Sequence, residues 1–345
     1  VPRIDFSDST NGALLLEPSR TNLVTQSNNT TTNVWGHYNY GGGLIVDTYG
    51  YDSPDGKNEA SRLVYTNSSA GSGGALLTTN ITLLATGIYT ISLWAKSVSG
   101  TKEIRFSPKS TSSSGTSGSR ITLTNEWKRY THTFTNDGGT SRGFQFRISE
   151  SEDSGDRTFD VWGMTIEEGS YATSTIPTQG SATTRLADVC NNSGSAQDFN
   201  SEEGVLYFEG QSFGGTSNGF ITLSDGSATN RISLRIGYYI STLIYIQMTS
   251  SGASQFEVNY NTNGTSFNFN DFNKYALKYK QNDCALFLNG IKVISISSAT
   301  MPTNLSKFQF TNSDGVGYLF LGTLKDVILY NTALTDEQLA ALTTI

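Results

Sequence analysis

The residues best suited to chemistry lie close together near the start of the chain. Trp35, His37, Tyr38, Tyr40, Tyr49 and Tyr51 are interleaved with Asn33, Asn39 and the glycines Gly41 to Gly43. Rings at that density offer flat apolar faces, and amides between them donate and accept hydrogen bonds at the ring edges. Trp94 and Trp127 are further ring candidates. Any one of these aromatics is equally at home in a sheet core, where large rings dominate the buried area. A second cluster is acidic. Glu150, Glu152, Asp153 and Asp156 gather hard oxygen ligands in a short loop, which suits Ca2+ but lacks EF-hand spacing. The same loop also reads as a solvated acidic turn.

Catalytic patterns fail on their context. Gly215-Thr216-Ser217-Asn218-Gly219 spells G-x-S-x-G, but a nucleophile elbow needs a strand before it, a helix after it and a histidine downstream. His37 and His132 both precede the motif. No phosphate loop, dinucleotide fingerprint or zinc spacing occurs.

The elements that must position the rings follow from composition. Charged residues make up 15% of the 345-residue chain and aromatics 11%, with Gly, Ser, Thr and Asn between short apolar runs. That profile predicts an all-β chain; the length, the succession of short strand runs and TDEQLAAL (335–342) predict two β-sandwich (jelly-roll) domains in tandem with one short C-terminal helix. Net charge is −7, with 15 basic against 18 acidic residues before residue 191 and 8 against 12 after it. Neither half has the basic footprint of a nucleic-acid binder or of a protein drawn to anionic membranes. No apolar run approaches the roughly 20 residues of a membrane helix. Cys190 and Cys284 form one bridge or remain two thiols; their spacing leaves both open. The chain starts at Val1, so further sequence is expected before it.

The expected domains are an N-terminal arm or strand at 1–20, a jelly roll at 21–180, a linker at 181–199 and a second sandwich at 200–345. In IYTISLWAKS (88–97), alternation places Tyr89, Ile91, Leu93 and Ala95 on the apolar face and Trp94 opposite. In FDVWGMTI (159–166) it places Phe159, Val161 and Gly163 on one face, with Trp162, Met164 and Ile166 on the other. Asn289-Gly290 predicts a tight hairpin turn, and Thr335 with Gln338 predicts a capping box on the helix.

Three stretches carry a family resemblance: IYTISLWAKS (88–97), EWKRYTHTF (126–134) and FDVWGMTIEEGSY (159–171). Through them residues 20–188 resemble a jelly-roll carbohydrate-binding module of the family 4/9 type. LFLNGIKV (286–293) and LGTLKDVILYNTALTDEQLAAL (321–342) resemble a laminin-G-like, concanavalin-A-like sandwich. With GALLLEPSRTNLV (12–24) near the start and SYATSTIPT (170–178) and ATTRLADVC (182–190) between the domains, the whole arrangement is similar to phage tail-fibre, spike or head-fibre proteins. These resemblances imply glycan binding without catalysis, with rings stacking on the C–H faces of sugars. They also imply Asp160 as a metal-ligating carboxylate, a possible structural Ca2+, and a homotrimer on the virion surface. The expected partners are host surface glycans and other virion proteins, with no nucleic acid and no membrane insertion. A secreted, extracellular protein, as part of a polysaccharide-degrading enzyme, is the alternative setting. The paired-carboxylate strand of concanavalin-A-like hydrolases (E-x-D-x-E) has no match in 200–345.

Overall fold

The computed structural model describes residues 3–6, 10–38, 44–66, 76–82, 86–110, 119–136, 143–150, 156–213, 219–237, 242–315 and 317–345. Among them the chain is all β-structure apart from one helix, Asp336–Thr343. It divides into two compact units, Ser19–Leu186 and Val1–Pro18 with Ala187–Ile345.

Of the arm or strands expected at 1–20, the structure has strands. Arg3–Asp5 and Ala13–Leu16 pair with each other, and Leu14 to Leu16 pair with Leu324 to Gly322. They complete a seven-stranded antiparallel sheet that continues through Gly322–Tyr330, Glu203–Ser212, Asn273–Lys280, Cys284–Leu288 and Ile291–Ile296. The apolar run ALLL supplies the reason, because Leu16 reaches the core of this sandwich while Pro18 ends the strand. The jelly roll is thus inserted between the second and third strands of the sandwich that carries the C-terminus.

That sandwich has a second sheet of five strands, in the order Ala253–Asn261, Leu243–Ser250, Arg231–Ile236, Gly219–Ser224 and Lys307–Gln309. Leu206 and Phe208 point between the sheets, with Ile221, Leu234 and Ile246. Val205 and Tyr207 point the other way and are covered by Leu339 of the helix. A strand covered on both faces reads as the continuous apolar run VLYF. Both cysteines are free thiols.

Ion pairs hold the helix to the sheet. The Asp336 carboxylate accepts from Lys292 at 2.6 Å and from Lys278 at 3.0 Å, while Lys278 also meets Asp283 at 2.8 Å. The hydrogen bonds from Lys292 and Lys278 hold the Asp336 carboxyl below the usual aspartate range. A depressed carboxyl stabilises the fold above its unfolded-state pKa, and that contribution disappears as pH falls through the folded value. Urea midpoints of wild type and Asp336→Asn are expected to differ at neutral pH and to converge as pH falls through the lowered Asp336 pKa.

The inserted jelly roll has two five-stranded sheets. One runs Ser119–Leu123, Lys102–Ser110, Gly143–Glu150, Leu76–Thr82, Gly36–Tyr38. The other runs Lys128–Asn136, Gly87–Ser97, Arg157–Glu168, Ala60–Thr66, Leu44–Tyr51. Tyr89, Ile91, Leu93 and Ala95 face the core and Trp94 faces away. Strict alternation fails in Arg157–Glu168. The register shifts between Trp162 and Thr165 around Gly163, whose φ is 61°. The bulge returns Met164 and Ile166 to the core face that Phe159 and Val161 occupy.

The expected linker at 181–199 begins as structure, since Thr183–Arg185 pairs with Arg20–Asn22. Residues ahead of it dock on the jelly roll through buried Thr173, Ile176 and Thr178, while Pro177 stays exposed. Buried Asn22 ties these layers together. Its amide donates to the carbonyls of Met164 and Ile176, and its oxygen accepts from the amides of Val24 and Ile166.

Candidate functional site

The ring cluster does not assemble as one surface. Trp35 is 3% exposed, packs in the jelly-roll core and donates its indole N–H to the Gln26 carbonyl at 2.9 Å. It has no face left for a ligand, which corrects its place among the binding candidates. His37 lies 3.2 Å from Asp47. Of Tyr38 only the backbone falls within the described residues, and Tyr40 lies outside them.

Tyr49 and Tyr51 are sent to opposite faces by a bulge. Tyr49 pairs with Ser61 and Tyr51 with Ala60, so the extra residue, Gly50 at φ 105°, inverts the alternation between them. Tyr51 joins a row on the sheet's outer face. The Arg62 guanidinium lies 3.9 Å from its ring centroid and forms a two-bond pair with Asp160, at 2.7 and 3.0 Å. Lys96 approaches Asp160 at 3.8 Å and sits over the Trp127 ring at 5.0 Å. Asp160 is 1% exposed and already faces two cations, so it is an ion-pair centre and not the expected metal ligand. Each ring in this row already carries a cation on one face. Trp94, partly buried, donates its indole N–H to the Thr175 hydroxyl.

The acidic cluster lies mainly outside the described residues. Asp156 is exposed, only the backbone of Glu150 is described, and Glu152 and Asp153 are beyond the description. Among the described residues no group of acidic, histidine or cysteine side chains is arranged to hold a metal ion. The G-x-S-x-G pattern also falls mostly outside them.

Tyr49 is different. Its ring is 40% exposed and borders a cleft of about 290 Å³ whose other walls are Gln26, Asn28, Asn29, Thr32, Thr178 and Gln179. Ser61 positions the loop, donating to the Asn28 carbonyl at 2.8 Å and accepting from the Thr30 amide at 3.0 Å. Asn28 in turn accepts from the Gly163 amide, which fastens the loop to the bulged strand. Burial, then the charges of Glu59 and Asp55, push the Tyr49 hydroxyl up, so it stays protonated and can donate. Among the described residues the cleft therefore presents one ring edge and face among neutral amides and hydroxyls, with no ionisable wall besides that phenol. A larger cleft of about 520 Å³ is lined by Ser19, Arg20, Thr21, Leu23, Tyr89, Glu168 and Gly169. Among the described residues its one ring, Tyr89, is 2% exposed and offers no stacking face.

Residues 22–155 match the family model of a carbohydrate binding domain. The inserted jelly roll is a family 4/9-like carbohydrate-binding domain. Tyr49, Gln26, Asn28, Asn29 and Thr32 of this family 4/9-like domain all fall inside the matched residues, and Thr178 and Gln179 follow them. No curated protein sequence matches the chain. Among solved structures, the chain is similar to the CBM40 of Ruminococcus gnavus IT-sialidase bound to α2,3-sialyllactose, at 15% identity and TM-score 0.37, over 45% of this chain and 95% of that one. It is also similar to a structure described as "CBM4 structure and function", at 19% identity and TM-score 0.32, over 41% and 92% of the two chains. A leech intramolecular trans-sialidase scores 0.37 at 18% identity, over 46% and 27%.

The amide walls were missed in the sequence because Asn, Gln and Thr in a loop read first as turn residues. A signal was present. QSNNTTT (26–32) places four hydroxyls and three amides directly before the aromatic cluster.

Proposed function

We propose that the chain is a non-catalytic glycan-binding protein and that the Tyr49 cleft of the family 4/9-like domain holds the sugar. The observation that carries this is an exposed ring set among unionised amides and hydroxyls within the family-matched residues. A pyranose offers an apolar C–H face to such a ring and hydroxyls to such walls. The neutral walls favour an uncharged sugar. In its fuller form, this reading makes the chain the host-facing part of a phage fibre or spike. It would then be a homotrimer on the virion surface, attached to host glycan.

Affinity electrophoresis against neutral polysaccharides tests the cleft. Tyr49→Ala is expected to weaken binding about tenfold, and Tyr49→Phe to retain most of it, with unchanged circular dichroism in both. Undiminished binding by Tyr49→Ala would remove the cleft from the reading.

A structural role against other virion chains is the second reading. It is favoured by the edge strand Arg3–Asp5, beside which Phe6 is 64% exposed.

A further inference from the structure

One aromatic residue of the C-terminal sandwich is held against its own backbone preference. Tyr318 has φ 49°. For a bulky L-residue this region brings Cβ against a carbonyl oxygen, and it is a true outlier where glycine is not used. Burial does not compensate for it, because Tyr318 is 55% exposed. The ring is nonetheless fixed in place. The Arg235 guanidinium lies 4.8 Å from its centroid and 4.7 Å from that of Phe220, and the two rings meet edge-on at 5.8 Å. Arg235 and Phe220 are themselves buried. The backbone is pinned as well, with the Phe220 amide donating to the Tyr318 carbonyl at 3.0 Å.

Strain of this kind persists only where the surrounding structure over-determines it, and it gathers at ligand sites. We propose that Tyr318 is the stacking platform of a second glycan site, located in the C-terminal sandwich. The inference rests on the glycan-binding reading above and extends it to a domain that the family match does not reach. Its ligand is the C–H face of a neutral pyranose. Arg235 is 8% exposed beside the rings, so its charge is largely withheld from a sugar at the surface. A rigid exposed ring loses little conformational entropy when a sugar stacks on it. Two weak sites on one chain raise avidity for a repeating polysaccharide without any new contact.

The test uses the intact chain and affinity electrophoresis in dextran, mannan, xylan and galactan gels, with Tyr318→Gly, Tyr318→Phe and Tyr49→Ala variants. Tyr318→Gly is expected to bind at least one of these polysaccharides about tenfold more weakly while melting no lower than wild type. Tyr318→Phe is expected to keep both properties. Loss in Tyr318→Gly with none in Tyr49→Ala supports this site and sinks the jelly-roll cleft. The reverse pattern overturns this site and leaves the cleft standing. A fall in melting temperature of more than about 5 °C in Tyr318→Gly makes the ring a structural prop and overturns the proposal. Absence of binding by the wild-type chain to all four overturns both sites.

Discussion

A fragment beginning at Asn200 will fail to fold, whereas a chain lacking Ser19–Leu186 will fold as a sandwich. The first fragment follows the boundary that the sequence suggests and discards the two strands Arg3–Asp5 and Ala13–Leu16. Leu16 is 4% exposed within the sandwich core, and removing a buried leucine side chain alone costs about 2–5 kcal/mol. That is a large share of the roughly 5–15 kcal/mol that holds a domain together. The loss also uncovers the strand Gly322–Tyr330 along the edge where Leu14 and Leu16 pair.

The excised chain keeps all of this. Its new junction would join positions already clasped to each other. The Asp188 amide donates to the Glu17 carbonyl at 2.9 Å, and the Glu17 amide donates to the Asp188 carboxylate at 2.7 Å. Arg3 pairs with both Glu17 and Asp188. A short glycine-serine bridge between Pro18 and Ala187 should therefore give dispersed amide NMR signals and a cooperative urea transition. The fragment from Asn200 should give neither.

Trp35→Ala should cost about 3–5 kcal/mol of stability, as large-to-small changes at buried aromatics do. The substitution empties part of the jelly-roll core that Trp35 shares with Leu63 and Tyr65 and leaves the Gln26 carbonyl without its indole donor. Chemical denaturation gives the stability change, and titration with polysaccharide corrected for the folded fraction gives binding. The folded fraction should bind as wild type does, in contrast to Tyr49→Ala. A Trp35→Ala chain of wild-type stability and lost binding would return the indole to the ligand surface.

Local patterns carried much of the fold. Asn289 and Gly290 both take positive φ, 50° and 84°, as their pairing in a tight hairpin turn requires. The Thr335 hydroxyl accepts from the Gln338 amide and the Gln338 side chain returns the bond, so the capping box formed as its residue types predict. These devices act within a few residues of themselves. The pairing of Leu14 with Leu324 is not of that kind, because nothing near either strand names its partner. The bulges at Gly50 and Gly163 were hidden for a related reason. One extra residue changes which face a side chain takes, and alternation alone does not reveal where it is inserted. The site suffered most. Tyr49 and Tyr51 share a strand and a residue type, yet the bulge between them gives one a cleft and the other a guanidinium.

The insertion of the jelly roll also sets an order of events during synthesis. Ala13–Leu16 leaves the ribosome about 300 residues before its partner Gly322–Tyr330 exists. At roughly 5–20 residues per second, that apolar strand waits on the order of 15–60 s. The jelly roll needs nothing outside Ser19–Leu186 for its sheets and can fold within that interval. In doing so it draws its own ends together through Arg20–Asn22 and Thr183–Arg185. A delay of hundreds of residues thereby becomes a short loop closure, and the last sheet forms after the inserted domain is finished.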